Sequence, residues 1–146
     1  ELASLIPGVF SLNGGAFFIE EDKCSVAGAE SDIGDEKGLI GNSDTRANFG
    51  LTYLLNDWRF NWQTSYMSSA VKGKDNPDRF YDIPGVDDYW LHTAFVGYAL
   101  NDNIDLSLAV RNVFDDEPPY GQNSLGANGI YDLVGRYVTG SIRLRF

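Results

Sequence analysis

Cysteine, histidine and long apolar runs are what this 146-residue chain has least of. Its single cysteine, Cys24, excludes an internal disulfide; in an oxidising compartment it is a free thiol or half of a bridge to something outside the chain. Its single histidine, His92, leaves no pair for a metal or for acid-base work. No apolar stretch reaches the roughly 18 residues of a transmembrane helix, which excludes helical spans and nothing more, because transmembrane strands are half polar. Positive charge is scarce as well. Eleven basic residues stand against 21 acidic ones, a formal net charge of -10, and that balance argues against nucleic acid as a partner. The opening ELASLIPGVF lacks the basic, apolar, small-residue order of a signal peptide. No G-x-S-x-G, no P-loop lysine and no G-x-G-x-x-G opening a helix is present, so no enzyme activity, cofactor or metal site is assigned.

Helical periodicity is also missing, whereas period-two alternation recurs. RANFGLTYLL sets Ala47, Phe49, Leu51, Tyr53 and Leu55 against Arg46, Asn48, Gly50, Thr52 and Leu54. WRFNWQTSYMSSA sets Trp58, Phe60, Trp62, Thr64 and Tyr66 against Arg59, Asn61, Gln63, Ser65 and Met67. Asn56 and Asp57 between them predict a two-residue hairpin turn, since Asn and Asp tolerate positive φ better than other non-glycine residues. YWLHTAFVGYAL and NIDLSLAVRNVF predict a second hairpin, turning at Asn101 and Asp102. A strand around VFSLNGGAFFIEE and the closing GRYVTGSIRLRF bring the total to about six. In the last of these, Val138, Gly140, Ile142, Leu144 and Phe146 face away from Tyr137, Thr139, Ser141, Arg143 and Arg145.

The other connections, residues 21–45, 70–88 and 114–135, are long, polar and rich in Gly, Asp, Asn and Pro. They alternate with the tight turns, so all long loops fall at one end of the strands. Long loops on one side, short turns on the other and strands of about 10 to 13 residues fit a transmembrane β-barrel. Trp58, Phe60, Trp62 and Phe146 then belong to the aromatic girdle on the short-turn side. A soluble β-sandwich that binds ligands through one set of loops is the competing architecture, but it favours shorter strands and mixed turns.

NIDLSLAVRNVFDDEPPY followed by GIYDLVGRYVTGSIRLRF resembles the C-terminal end of TonB-dependent outer-membrane receptors of Gram-negative bacteria. The resemblance is carried by Asn112, Val113, Phe114 and Asp115, by Glu117 and Pro118, by Tyr131 and Asp132, by Gly135 and Arg136, and by the terminal Phe146. A passive porin shares the barrel and the terminal Phe but not the Asn112 to Asp115 and Gly135, Arg136 pattern. The resemblance implies an all-β, antiparallel, up-and-down transmembrane barrel of 22 strands around a plug domain. Residues 1–146 then supply about six C-terminal strands, and the plug is absent from the chain. It further implies energised uptake of a scarce nutrient such as a ferric siderophore, haem, cobalamin or an oligosaccharide. The partners it implies are outer-membrane lipid, the rest of the barrel and its plug, the TonB complex through a missing N-terminal region, and the barrel-assembly machinery.

By the same resemblance, Phe146, with Leu144 and Ile142 on its face, is the assembly signal and closes the barrel. Asp115, Asp132, Gly135 and Arg136 are expected at the outer rim, with the Arg136 guanidinium held against carboxylates. Tyr81, Trp90, Tyr120 and Tyr131, in or beside the long loops, are the candidates for ligand contact. Residues 20–45 carry eight acidic and two basic residues, a pattern that fits a solvated loop; attraction of a cationic or metal-bearing ligand is the alternative.

Overall fold

The computed structural model describes residues 7–23, 35–73, 84–119, 131 and 134–146. Cys24, Tyr81, Tyr120 and Asp132 lie outside these. Eight strands are described: β1 (Val9–Phe18), β2 (Thr45–Leu55), β3 (Trp58–Met67), β4 (Ala70–Val71), β5 (Gly85–Val86), β6 (Tyr89–Asn101), β7 (Ile104–Arg111) and β8 (Tyr137–Leu144). Six of them form one antiparallel sheet in the order β1-β2-β3-β6-β7-β8, and β4 and β5 pair separately. No helix occurs among the described residues. The sheet is open, with β1 and β8 at its edges.

The register turns sequence alternation into two faces, because side chains along a strand point alternately to opposite sides. Leu51 pairs with Trp62, Trp62 with Ala94, Ala94 with Val110 and Val110 with Val138, so the apolar sets of five strands meet on one side. That face carries no Asp, Glu, Lys or Arg on any of the six strands. Nothing among the described residues covers it: Phe49 is 48% exposed, Leu108 44% and Ile142 70%. A sandwich would bury these side chains against a second sheet. Here the apolar face stays open along the whole sheet.

Aromatic rings form two bands on it. Near the tight turns, Phe10 stacks on Tyr53 at 4.2 Å, Tyr53 lies beside Phe60, and Trp58 touches Phe60 and Tyr98. Toward the long connections, Trp62, Tyr66, Trp90, His92 and Phe114 make the second band, with His92 to Phe114 at 5.0 Å. Trp62 therefore joins the far band and not the near one expected from its sequence neighbours, because it lies four positions along β3 from Trp58. Leu51, Ala94, Val96, Leu108 and Val110 fill the aliphatic zone between the bands.

Asn56 makes the first tight turn with a left-handed φ of 50°. The second turn differs from its sequence reading. A register irregularity between Ala99 and Asn101 extends β6 by one position, Asn101 pairs with Ile104, and the two-residue turn is Asp102 and Asn103. Neither turn residue has positive φ; the Asn101 side chain instead accepts a 2.9 Å hydrogen bond from the Asn103 N–H. The same turn holds the end of β8. Arg145 N–H donates to the Asn103 carbonyl, Asn103 Nδ2 donates to the Arg145 carbonyl at 2.8 Å, and the Arg145 guanidinium binds the Asp105 carboxylate. Only Phe146 extends past this clamp, fully exposed.

The buried core is small and lies at the opposite end. Ala70, Val86, Tyr89 and Tyr131 are buried, with Ile40, Met67 and Leu91 packed on them. Met67, Tyr89 and Leu91 project from the polar face, so the long connections fold over that side. Segments that read as plain loops are partly ordered. Gly38 and Ile40 exchange hydrogen bonds with Val71, and Lys72 N–H donates to the Pro84 carbonyl.

Candidate functional site

Two places combine uncommon backbone with polar side chains, both at the long-connection end. The first is the turn after β7. Asn112, 1% exposed, has a φ of 54° and spans the turn with its amide: Nδ2 donates to the Asp116 carbonyl at 2.8 Å, and Oδ1 accepts from the Asp116 N–H at 3.0 Å. Asp115 is left-handed too, at φ 60°, which turns its carboxylate toward the start of β8. There Oδ1 accepts the Arg136 N–H at 2.7 Å, and the Arg136 guanidinium lies 3.6 Å from Oδ2. A Cβ on Gly135 would come within 3.1 Å of that carboxylate, so glycine keeps the approach open. Asp116 and Glu117 make no ion pair with Arg136. The turn joins β7 to β8 across a gap of more than 20 residues, which is a structural role.

The second place is the mouth above the polar face. Tyr89 and Tyr131 meet edge to face at 5.6 Å, and Ser43, 1% exposed, lies beside them. Burial pushes the Tyr131 phenol above its usual pKa, while the neighbouring Ser43 hydroxyl and Arg46 charge act against that shift. Arg46 donates through Nη2 to the Gly41 carbonyl at 3.0 Å, and its Nε–H is buried without an acceptor among the described residues. A buried N–H without an acceptor is costly, and an incoming acceptor relieves it. Arg111 projects from the same face on β7. Sequence reasoning included Tyr131 and missed Ser43, Arg46 and Tyr89, since only the strand order brings residue 131 beside residues 43 to 46.

Trp90 lies elsewhere. It follows Tyr89 by one position and so falls on the apolar face, packed at a tilt against Tyr66 and with Nε1 donating to Asp88. A ligand on the polar face cannot reach it. His92 is beside it, with Nδ1 3.0 Å from the Thr64 hydroxyl. In the described part of the acidic stretch two carboxylates hold the local fold: Asp22 accepts from Asn42 Nδ2, and Asp35 Oδ1 accepts from the Asp22 and Lys37 N–H groups. Ile142 and Leu144 share the apolar face at the tight-turn end of β8, and Phe146 lies just beyond the strand, fully exposed.

A charge-free apolar face banded by aromatics, backed by a polar face bearing arginines, with tight turns at one end and long connections at the other, defines wall from a transmembrane β-barrel. The β-barrel model described as "TonB dependent receptor-like, beta-barrel" matches residues 8–113, and the chain belongs to that family. The family is one of outer-membrane transport receptors of Gram-negative bacteria, not of enzymes. Among solved structures, the closed form of the ferric-catecholate import receptor Fiu from Escherichia coli K12 is similar, with a TM-score of 0.58 and 19% identity. That alignment covers 92% of this chain and 18% of the Fiu chain, so the chain spans under a fifth of that receptor's length. No curated protein sequence matches the chain.

Proposed function

We propose that the chain forms wall, rim and part of the outer mouth of a TonB-dependent receptor that binds an anionic ferric chelate and imports it. The observation that carries the ligand chemistry is the buried Arg46 Nε–H, which has no acceptor among the described residues and lies beside the Ser43 and Tyr131 hydroxyls. Catecholate and hydroxamate oxygens of a ferric siderophore suit such donors, and the similar receptor is described as a ferric-catecholate importer. In this reading the apolar face meets outer-membrane lipid, and the open edges of β1 and β8 pair with further barrel strands, because unpaired backbone in hydrocarbon costs several kcal/mol per group. A plug and the TonB contact come from outside the chain, and Phe146 presents the last strand to the barrel-assembly machinery.

The test is binding to the full receptor in detergent by intrinsic fluorescence, with a ferric tris-catecholate, haem, cobalamin and a neutral oligosaccharide as ligands. The ferric chelate should bind, and Arg46→Gln should weaken it by about tenfold while sparing folding. Preferential binding of the oligosaccharide or cobalamin, unaffected by Arg46→Gln, would overturn the proposal.

A further inference from the structure

The apolar face carries one side chain that a lipid-facing wall does not call for. His92 stands on β6 in the far aromatic band, half-buried, with Phe114 edge-on at 5.0 Å, Trp62 at 5.6 Å and Trp90 parallel to it at 6.4 Å. Tryptophan and tyrosine suffice for an interfacial band. An ionisable ring turned toward hydrocarbon is uncommon and marks a site with a partner.

The hydrogen bonds of His92 leave one atom for that partner. The Trp62 indole can only donate, so its 3.1 Å contact makes the Thr64 hydroxyl an acceptor. Thr64 pairs with His92 across β3 and β6, and its hydroxyl lies 3.0 Å from Nδ1. Were Nδ1 the donor, the Thr64 proton would have no acceptor among the described residues and would be stranded in an apolar setting, which is costly. The hydroxyl therefore donates to Nδ1, and the ring proton sits on Nε2. No acceptor for Nε2–H occurs among the described residues.

The surroundings define what the missing acceptor belongs to. About 7 Å further along β6 on the same face is Ala94, the smallest side chain of its row, between Trp62 and Val110. It floors an almost wholly apolar groove of about 260 Å³ walled by Leu51, Trp62, Val96, Leu108 and Val110. An alkyl chain fits there, with a hydrogen-bond acceptor at its upper end. On the other side of His92, toward the long connections, Trp90 is 47% exposed, and Phe114 beside the ring is 61% exposed. Aromatic faces are electron-rich and attract the C–H face of a sugar. A phosphate would need a cation instead; this face has no Lys or Arg on any strand, and the Asp88 carboxylate sits on Trp90 Nε1.

We infer that His92 heads a binding site for an acylated sugar of the outer leaflet, with Nε2–H on the carbonyl of the acyl linkage, the alkyl chain along Ala94 and the sugar against Trp90 and Phe114. The inference rests on the reading of the sheet as barrel wall with its long connections outside. Thr64 is a positioning residue, since it acts on the lipid only through the ring it orients.

The test is native mass spectrometry of the full receptor in detergent, with lipid A as the acylated sugar and phosphatidylglycerol and phosphatidylethanolamine as competitors. The wild type should retain lipid A in preference to either phospholipid. Occupancy should fall about tenfold in His92→Phe, which keeps an aromatic ring without the donor, and should also fall in Ala94→Leu, which fills the groove. Thr64→Val should weaken retention and Thr64→Ser should preserve it; a packing role for Thr64 predicts the reverse, since Val keeps its shape. Equal retention of phospholipid, retention of detergent alone, or occupancy unchanged in His92→Phe and Ala94→Leu would overturn the inference. If His92→Phe does not fold, the Thr64 pair decides. A wild type without the heat-modifiable mobility of a folded barrel would overturn the barrel reading itself, so the two failures are distinguishable.

Discussion

Replacing Asn112 tests whether the turn after β7 is what sets the start of β8. In Asn112→Ala the two hydrogen bonds to Asp116 are lost, at about 1 kcal/mol each, and a Cβ without a compensating amide must occupy φ 54°, at about 1 kcal/mol more. The sum is about 3 kcal/mol. Asn112→Gly loses the same hydrogen bonds but tolerates the left-handed backbone, so about 2 kcal/mol is expected. The assay is urea unfolding of the full receptor in detergent, followed by tryptophan fluorescence and by the mobility shift of the folded barrel on unheated gels. Stability should fall in the order wild type, Gly, Ala. Equal stability of all three would refute the role given to the turn. Ala and Gly variants that are equally destabilised would refute only the backbone part of it.

Deleting Phe146 should sharply lower outer-membrane assembly in cells while leaving refolding in detergent almost unchanged, because the ring touches nothing among the described residues; a matching loss in both would make Phe146 a stability residue instead. Asp44 supplies a pH test. The Ser68 hydroxyl, first among its causes, holds its carboxyl below the ordinary value of 3.8, with the Thr45 hydroxyl and Lys37 aiding and slight desolvation opposing. A depressed pKa contributes stability above the ordinary value and loses it as pH falls through the folded one. The stability gap between wild type and Ser68→Ala should therefore be full at pH 7 and narrow below about pH 4; thermal unfolding across that range measures it, and a gap independent of pH would refute the charge-assisted bond.

Much of the wall is legible in the residues because it depends on local alternation. Phe49, Leu51 and Tyr53 fall on one side of β2 whatever pairs with them, and Asn56 with Asp57 marks a turn through its own backbone preferences. The second turn moved one residue because an irregularity between Ala99 and Asn101, invisible in the pattern NDNID, changes the register within β6. The mouth was hardest to read. Ser43 and Tyr131 come from two separate connections and Arg46 and Tyr89 from the starts of β2 and β6, and nothing in their spacing relates them. Trp90 shows the same limit at the scale of one residue: next to Tyr89 in the chain, it lies on the opposite face, since strand side chains change sides at every step.

The sequence by itself determined that the chain is strand-built and two-faced, with tight turns at one end, and its last residues carried the family resemblance. These are properties of neighbours two positions apart, or of a short motif. The tertiary structure decided which strands pair, and with that the two aromatic bands and the clamp of Arg145 on the turn at Asn103. Hydrogen-bond register between distant strands sets both, and a shift of one residue would carry strand side chains to the other face.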